Sequence, residues 1–453
     1  MDKRQIEETT LKNEPTEKNV DNKEQLSTID NESNLDKSDR LWNKNFFLLW
    51  QGQLVSVLGN IVYSIALGFW MLDLTGSTAL MGSLMATSMV PNLIIAPFAG
   101  VLVDKWDRKW VIVITDFIRG VFITFIGIAA LLNFIQIWMV FGAALINGLC
   151  AAFFSPAISS VQPDVVPKSK LLKANSISTM SSTSMQMIGN ALGGMLYIHF
   201  GAPYMFLFNG ISFLFSAFTE LFIVVPPIVK EDKKITFLDD FKEGFKFTWN
   251  FKALKRITLT ACFINFIANG AFLLILPYFN SMEFLGASKY GYAIALESLG
   301  MIAGSLILSV FTLPSNKKFN VFIMGSILLC VAPILFLFTN NFYIIVALFF
   351  LQGLGNAIIN TLLSATMQLI VPREMRGKVF ALFQSLVMGL SPLGTLLGGV
   401  LGEVFPLRVV MGGGFAILLV EMIGFCMLKG CREVINYDSE KTSVEELIAN
   451  TAL

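Results

Sequence analysis

Between residues 46 and 428 the chain is a succession of long apolar runs separated by short polar breaks. A helix needs roughly 20 predominantly apolar residues to cross a bilayer. Twelve runs meet that requirement: 46–72, 78–103, 110–132, 137–161, 175–198, 203–225, 257–280, 288–312, 320–338, 342–370, 378–402 and 408–428. Many contain Gly or Pro, as membrane helices do. The pattern predicts an all-α membrane protein with twelve transmembrane helices, spans 1 to 12. Residues 1–45 are different in kind, with 11 acidic and 8 basic residues and no aromatic residue before Trp42. Such a segment buries too little apolar surface to offset its ordering entropy, and disorder is expected. It lacks the pattern of a signal peptide. The run that opens at Phe46 is too long for a signal's apolar core, so it should persist as a spanning helix.

Composition agrees. The 453 residues are 55% hydrophobic and 14% charged, with mean hydropathy +0.67; a soluble domain carries about 25% charged residues. An ordinary soluble enzyme is excluded, and so is a chain disordered throughout. A net charge of +1 gives no case for nucleic acid as a partner. Cys150, Cys262, Cys330 and Cys426 lie in apolar runs, which suggests neither a disulfide framework nor a metal site.

Charge bias orients the spans. One alternating set of loops carries 19 basic residues, among them Lys105, Arg108, Lys109, Lys168, Lys170, Lys173, Lys317, Lys318, Arg373, Arg376 and Lys378. The other set carries two, Lys289 and Arg408. The positive-inside rule places the first set and both termini in the cytoplasm.

The chain also resembles itself at an offset of 205 residues. Gly148 falls on Gly353, Gly189 on Gly394, Gly193 and Gly194 on Gly398 and Gly399, Asn60 on Asn265, and Asn147 on Gln352. The expected organisation is a tail (1–45), a six-helix bundle (46–225), a charged central loop (226–256), a second bundle (257–428) and a cytoplasmic tail (429–453). Parallel repeats of this kind are a plan of secondary transporters, with the site between the halves near mid-membrane. In the central loop Phe237, Phe241, Phe245 and Trp249 recur every four residues among charges. That periodicity predicts an amphipathic helix on the membrane surface.

At this point the chain resembles the major facilitator superfamily. Gly100, Asp104, Lys105, Arg108 and Lys109 match its loop signature after span 2, with Asp107 in place of a glycine. The resemblance implies a cytoplasmic latch there, with Gly100 permitting close helix approach. Gly189, Gly193 and Gly194 resemble the glycine-rich motif of exporting members, with Asn190 in place of its proline. Together with Gly394, Gly398 and Gly399 they imply tight helix packing. The span 4 arginine element is absent, its place taken by Ala144. Asp107-Arg108-Lys109 followed by Asp116 to Arg119, with the long central loop, resembles the macrolide-type and siderophore-type efflux branch. A bacterial cell membrane is the setting that this implies.

Ionisable residues within spans are candidate functional groups. Asp116 and Arg119 share one face of span 3; they read either as a structural pair anchoring the latch loop or as coupling groups. Glu220 is expected to reach water at the cytoplasmic end of span 6, with ion coupling as the alternative. Glu297 lies deeper, without a basic neighbour on its own helix. It is either an ion-coupling carboxylate or one paired across helices. Glu421 is expected to be peripheral, Asp73 and Glu403 solvated, and His199 interfacial. The amides Gln53, Asn60, Asn147, Asn265, Asn269, Gln352, Asn356 and Asn360 concentrate on spans 1, 4, 7 and 10. The resemblance places those spans around the central cavity; interhelical bonding is the other reading of the same amides. Phe and Met, 41 and 20 in number, can supply an adaptable apolar wall.

The resulting expectation is a secondary transporter exporting amphipathic small molecules by alternating access. It would work as a monomer in a lipid bilayer, driven by a proton gradient and without a cofactor. No phosphate-binding loop for ATP occurs. A nutrient or peptide symporter and a non-transporting sensor are the competing readings. A membrane enzyme is disfavoured by the single His and the lack of a metal cluster or nucleophile motif.

Overall fold

The computed structural model describes residues 41–103, 105–225, 237–311, 313–372, 375–428, 430–438 and 446. The expectation of a disordered tail over 1–40 lies outside them, as do Asp104 and Arg373. Among the described residues the chain is helical without strands, because a bilayer offers backbone N–H and C=O groups no partner but one another. Eleven helical segments are long and apolar enough to cross a membrane. One of them, Leu171–Glu220, has 50 residues. Straight, it would reach about 75 Å at 1.5 Å per residue, over twice the bilayer core. It breaks at Gly201, where φ is 74° and ψ is 170°, a conformation that glycine adopts without a Cβ clash. The arms 171–200 and 202–220 are therefore spans 5 and 6, and eleven segments give twelve crossings.

The remaining spans are Lys44–Thr75, Thr78–Val103, Arg108–Leu131 and Ile137–Val165 (1 to 4), then Lys252–Leu273 continued by Ile275–Ser281 (7) and Gly286–Val310 (8). Lys318–Phe336 and Phe342–Ile370 are spans 9 and 10. Span 11 is Arg376–Gly389 with Ser391–Val404, and span 12 is Leu407–Met427. Span 11 is interrupted where Pro392, which has no N–H, opens the second piece. Asn43 and Asn341 cap spans 1 and 10 by accepting from the backbone N–H groups of Phe46 and Tyr343 at 2.9 Å.

The 205-residue offset is visible in the packing. A Cβ added to Gly189 would meet the Ile61 side chain at 3.0 Å, and one added to Gly394 would meet the Phe266 carbonyl at 2.0 Å. Ile61 and Phe266 are themselves 205 apart. Gly193 faces Ile65, and Gly398 faces Gly270, again 205 apart. Span 5 thus sits on span 1 as span 11 sits on span 7. The predicted close packing at these glycines is what the structure shows.

The adjacent glycines point the other way, across the halves. A Cβ on Gly194 would lie 1.8 Å from the Ala287 carbonyl of span 8. One on Gly399 would lie 2.6 Å from the Thr78 carbonyl of span 2. These contacts cluster at the membrane face opposite the 19 basic residues. There the Glu403 carboxylate accepts from Ser77 Oγ at 2.9 Å and the Ala79 backbone N–H at 3.3 Å. Asp73 accepts from Tyr197 at 2.6 Å and Asn280 at 3.3 Å. Both acids therefore tie spans together across the halves, a role beyond the expected solvation. Beneath them Phe69 stacks on Tyr197 at 5.1 Å and meets Tyr290 edge-on at 5.6 Å.

Phe237–Asn250 forms the predicted surface helix. Gly244 packs on the Lys378 carbonyl of span 11, and Glu243 pairs with Lys378 at 2.5 Å. Phe245 and Trp249 stack at 4.5 Å on its exposed side, the side a membrane surface would cover. Past span 12, Cys431–Ile435 is a short helix rather than plain tail, held where the Phe319 N–H donates to Asn436 Oδ1 at 2.9 Å.

Closure of the opposite face should fail when Gly194 gains a side chain. Overpacking against backbone costs about 1–3 kcal/mol or more. Gly194→Val is expected to raise labelling of a Phe69→Cys reporter by a membrane-impermeant maleimide several-fold; unchanged labelling would refute the close contact.

Candidate functional site

Toward the basic face the halves part. A cleft of about 460 Å³ lies between spans 2 and 11, lined by Ser88, Met89, Asn92, Gln384, Ser385 and Met388 among others. A second cavity of about 290 Å³ lies within the amino-terminal half, where Asn60, Tyr63, Ser88, Arg119 and Asn147 are among the lining residues. Ser88 borders both, so the two spaces adjoin.

The predicted amides divide. Asn60 and Asn147 line the inner cavity. Asn356 and Asn360 are half-buried and exposed on span 10, and Asn360 donates to the Asn356 carbonyl at 3.0 Å. Gln352 is fully buried and donates through Nε2 to Glu297 Oε1 at 3.3 Å, joining spans 10 and 8. Asn269 donates to Ser391 Oγ at 3.2 Å and Asn265 to the Ala261 carbonyl at 3.3 Å. Gln352 is thus held between helices rather than facing a cavity, and Asn265, Asn269, Asn356 and Asn360 line neither of the two cavities. Amides buried at helix crossings are held by protein partners, because unmet donors there are costly. Gln53 is half-buried on span 1 and lines neither cavity.

Several exposed polar residues were not anticipated. On span 10, Ser364 and Gln368 continue the four-residue spacing of Asn356 and Asn360, and both are exposed. On span 4, Ser155 and Ser159 are exposed at the positions 205 residues earlier than Asn360 and Ser364. Span 5 exposes Thr179, Thr183 and Gln186. The signal was available: residues 175–186 read NSISTMSSTSMQ, a hydroxyl-rich run with no match in the other apolar stretches. Asn190 reaches Ser298 Oγ of span 8 at 3.4 Å, beside Glu297.

The acids also sort differently. Glu297 is half-buried, and its hydrogen-bond partner is the Gln352 amide; among the described residues no cation pairs with it. Its reading as an acid held across helices is the one the geometry shows, with an amide rather than a cation as partner. Glu220 is fully buried, not solvated at a helix end. It accepts from Ser216 Oγ at 3.2 Å. The correction has a local cause: span 6 packs this turn against span 1, where a Cβ on Gly52 would lie 2.9 Å from Ser216 Oγ. Asp116 is fully buried too and pairs with Arg119 at 3.4 Å. The Arg119 guanidinium lies over the rings of Phe154 and Phe213, at 5.0 and 5.3 Å. This pair faces spans 4 and 6 and not the loop after span 2, so its reading as a latch anchor is corrected. Glu421 is half-buried, with one carboxylate oxygen lacking a partner.

In the signature loop Arg108 pairs with Asp164 of span 4 at 3.0 Å, and Asp107 caps span 3 through the Lys109 N–H at 3.0 Å. Trp106 stacks on Phe153 at 5.8 Å. These contacts join spans 2, 3 and 4 of one half. A Cβ at Gly100 would meet open space, so close helix approach is not its role in this structure. Lys105 is exposed.

What this arrangement can do is bind: amides, hydroxyls, thioethers and the Arg119 guanidinium line two adjoining cavities toward one face. Macrolide efflux protein A of Streptococcus pyogenes is 24% identical over 373 residues, covering 80% of this chain and 90% of that relative. The crystal structure of the nucleoside transporter NupG superposes with a TM-score of 0.68 at 14% identity, covering 87% of this chain and 99% of that one. A bacterial homologue of the human lysosomal transporter Spinster, solved inward-facing and occupied, superposes at 0.62 with 14% identity, covering 90% and 94%. These two likenesses establish the fold. The family model described as transmembrane secretion effector matches residues 39–450, and with that match across nearly the whole length the chain belongs to this family of major facilitator transporters.

Proposed function

We propose that the protein exports amphipathic small molecules, macrolide-like compounds among them, from the cytoplasm by proton-coupled alternating access. The observation that carries this reading is the pair of adjoining cavities, walled by amides, hydroxyls and methionines and closed at the opposite face. Flexible thioethers and rings fit varied apolar shapes, while the amides and hydroxyls orient polar groups. The family's secretion description and the macrolide efflux relative favour export over uptake. The positive-inside rule puts the basic face in the cytoplasm of a bacterial cell, with both termini there. The conformation is then inward-facing, ready to load substrate from the cytoplasm or the inner leaflet. Protons returning inward supply the energy, and the protein acts as a monomer.

Within this cycle Glu297 is the coupling carboxylate of the central region. It stands at the crossing of spans 8 and 10, one residue from the contact that Asn190 makes across the halves. Rocking the halves remakes that contact and so changes the water around Glu297. Glu297→Gln keeps the shape but cannot release a proton. In a host lacking its own efflux pumps, wild type is expected to lower erythromycin accumulation. Glu297→Gln is expected to lose pH-gradient-driven efflux by about tenfold or more while retaining erythromycin binding. Wild-type efflux by the variant would remove Glu297 from coupling.

Orientation is tested separately. In intact cells an impermeant maleimide should label Tyr343→Cys, in the exposed first turn of span 10, and leave Leu172→Cys unlabelled. The reverse pattern would invert the topology.

A further inference from the structure

The amino-terminal half holds a charge cluster that its partner half does without. Asp116, Arg119 and Glu220 lie within one apolar layer, at 0%, 5% and 0% exposure. Under the 205-residue offset their counterparts are Val321, Met324 and Phe425. The same six-helix architecture thus carries three buried charges at these positions in one half and none in the other, and the fold does not require them. Buried ion pairs are seldom retained for stability, since apolar residues of similar volume often serve as well or better.

The count within the cluster is unbalanced, with two carboxylates against one guanidinium. Three of its polar atoms, Asp116 Oδ2, Glu220 Oε2 and Arg119 Nε, are buried without a hydrogen-bond partner. The other titratable group facing it is Cys150 of span 4. Span 1 presents Gly52 and Ser56 there, span 6 presents Ser216 and Thr219, and none of these brings a second cation. The guanidinium is committed to Asp116, at 3.4 Å, whereas Glu220 has only the Ser216 hydroxyl, at 3.2 Å.

We propose that this cluster is a one-proton site, distinct from Glu297, and that its proton is exchanged in each transport cycle. Glu220 carries the proton on Oε2. Arg119 is the positioning residue that keeps Asp116 ionised and so decides which acid is protonated. With the proton bound, two carboxylates, one guanidinium and one proton leave the buried layer neutral. Loss of the proton to water leaves one uncompensated negative charge, which a dry apolar layer disfavours strongly. Release therefore requires water to reach the layer. Arg119 provides the route, because it also lines the 290 Å³ cavity. Emptying or filling that cavity during the cycle changes the water beside Arg119 and couples cavity occupancy to the proton.

This inference rests on the proposed proton-coupled export for its exchange step but not for the site itself, so two measurements are needed. Infrared difference spectroscopy of the purified full-length protein reads the site directly. Wild type should show a protonated-carboxyl C=O band that Glu220→Gln removes and Glu297→Gln leaves in place. Asp116→Asn should also remove it, because Arg119 then passes to Glu220 and ionises it. A spectrum unchanged by Glu220→Gln overturns the proposal. A sodium-dependent rise in Tm that Glu220→Gln abolishes overturns it in favour of a metal cation. The second measurement is the proton-to-erythromycin ratio from reversal potentials in proteoliposomes, expected to fall by about one in Glu220→Gln. An unchanged ratio refutes exchange and leaves a static proton. If wild type moves no erythromycin, the export reading fails for that compound and the infrared result still decides the site. A triple variant, Asp116→Asn with Arg119→Gln and Glu220→Gln, guards against misfolding. It should insert and elute as wild type, as the uncharged counterpart positions Val321, Met324 and Phe425 imply, and failure to do so would make the cluster structural.

Discussion

Close backbone contact at glycine is the interaction on which the rest of this structure depends. Spans 5 and 11 each touch two neighbours at once. Gly189 and Gly193 fix span 5 on span 1, while Gly194, one residue on, meets the Ala287 carbonyl of span 8. Gly394, Gly398 and Gly399 repeat the arrangement on span 11 toward spans 7 and 2. In a bilayer no hydrophobic force favours one apolar neighbour over another, so van der Waals contact must select the partner. A glycine face selects it by admitting only a backbone. The same residues therefore hold each half rigid and let the halves meet along a narrow seam. Removing that seam on one face and closing it on the other requires little change within either half, which is the mechanical condition for alternating access.

Polar groups then differentiate two halves that sterics make alike. Glycine pairs survive the 205-residue offset, but the ionisable side chains buried within the spans do not. Asp116, Arg119 and Glu220 oppose Val321, Met324 and Phe425, and Glu297 opposes Asn92. A duplicated scaffold whose charges have diverged separates what the fold needs from what the activity needs. Charge buried in hydrocarbon is expensive, and its confinement to single copies argues against a role in packing.

Spans, their number and the repeat were legible because hydropathy and glycine spacing act over many residues. The break at Gly201 was legible as the gap between two apolar runs. Individual side-chain environments were less so. Glu220 was expected in water because it lies near a helix end, yet Gly52 of span 1 draws its turn into the bundle. Gln352 was expected in the cavity because the family resemblance places its helix around one, yet 3.3 Å separates it from Glu297 on the neighbouring span. Both outcomes depend on which helix packs where, which periodicity along one helix does not encode. The hydroxyl run of span 5 was the opposite case, a local signal that went unread. Serine and threonine cost little in a membrane helix, since each can bond its own backbone, as Ser176 does to the Leu172 carbonyl at 2.9 Å.

That property of hydroxyls bears on how one cavity could take many ligands. A serine bonded to its own helix is satisfied when the cavity is empty, yet its oxygen still has acceptor capacity for a guest. Ser88, which borders both cavities, is bonded in this way to the Met85 carbonyl, at 2.7 Å. In the inner cavity Tyr63 Oη and Arg119 Nε are left without partners, so polar pattern is read mainly there. The apolar partners, Met85 in the inner cavity and Met89 and Met388 in the cleft, adapt in shape. Elsewhere discrimination falls to size, apolarity and charge, with Arg119 the charged group in the inner cavity wall. Cavity walls built in this manner gain breadth at the expense of affinity, which suits the export of varied amphipaths proposed above.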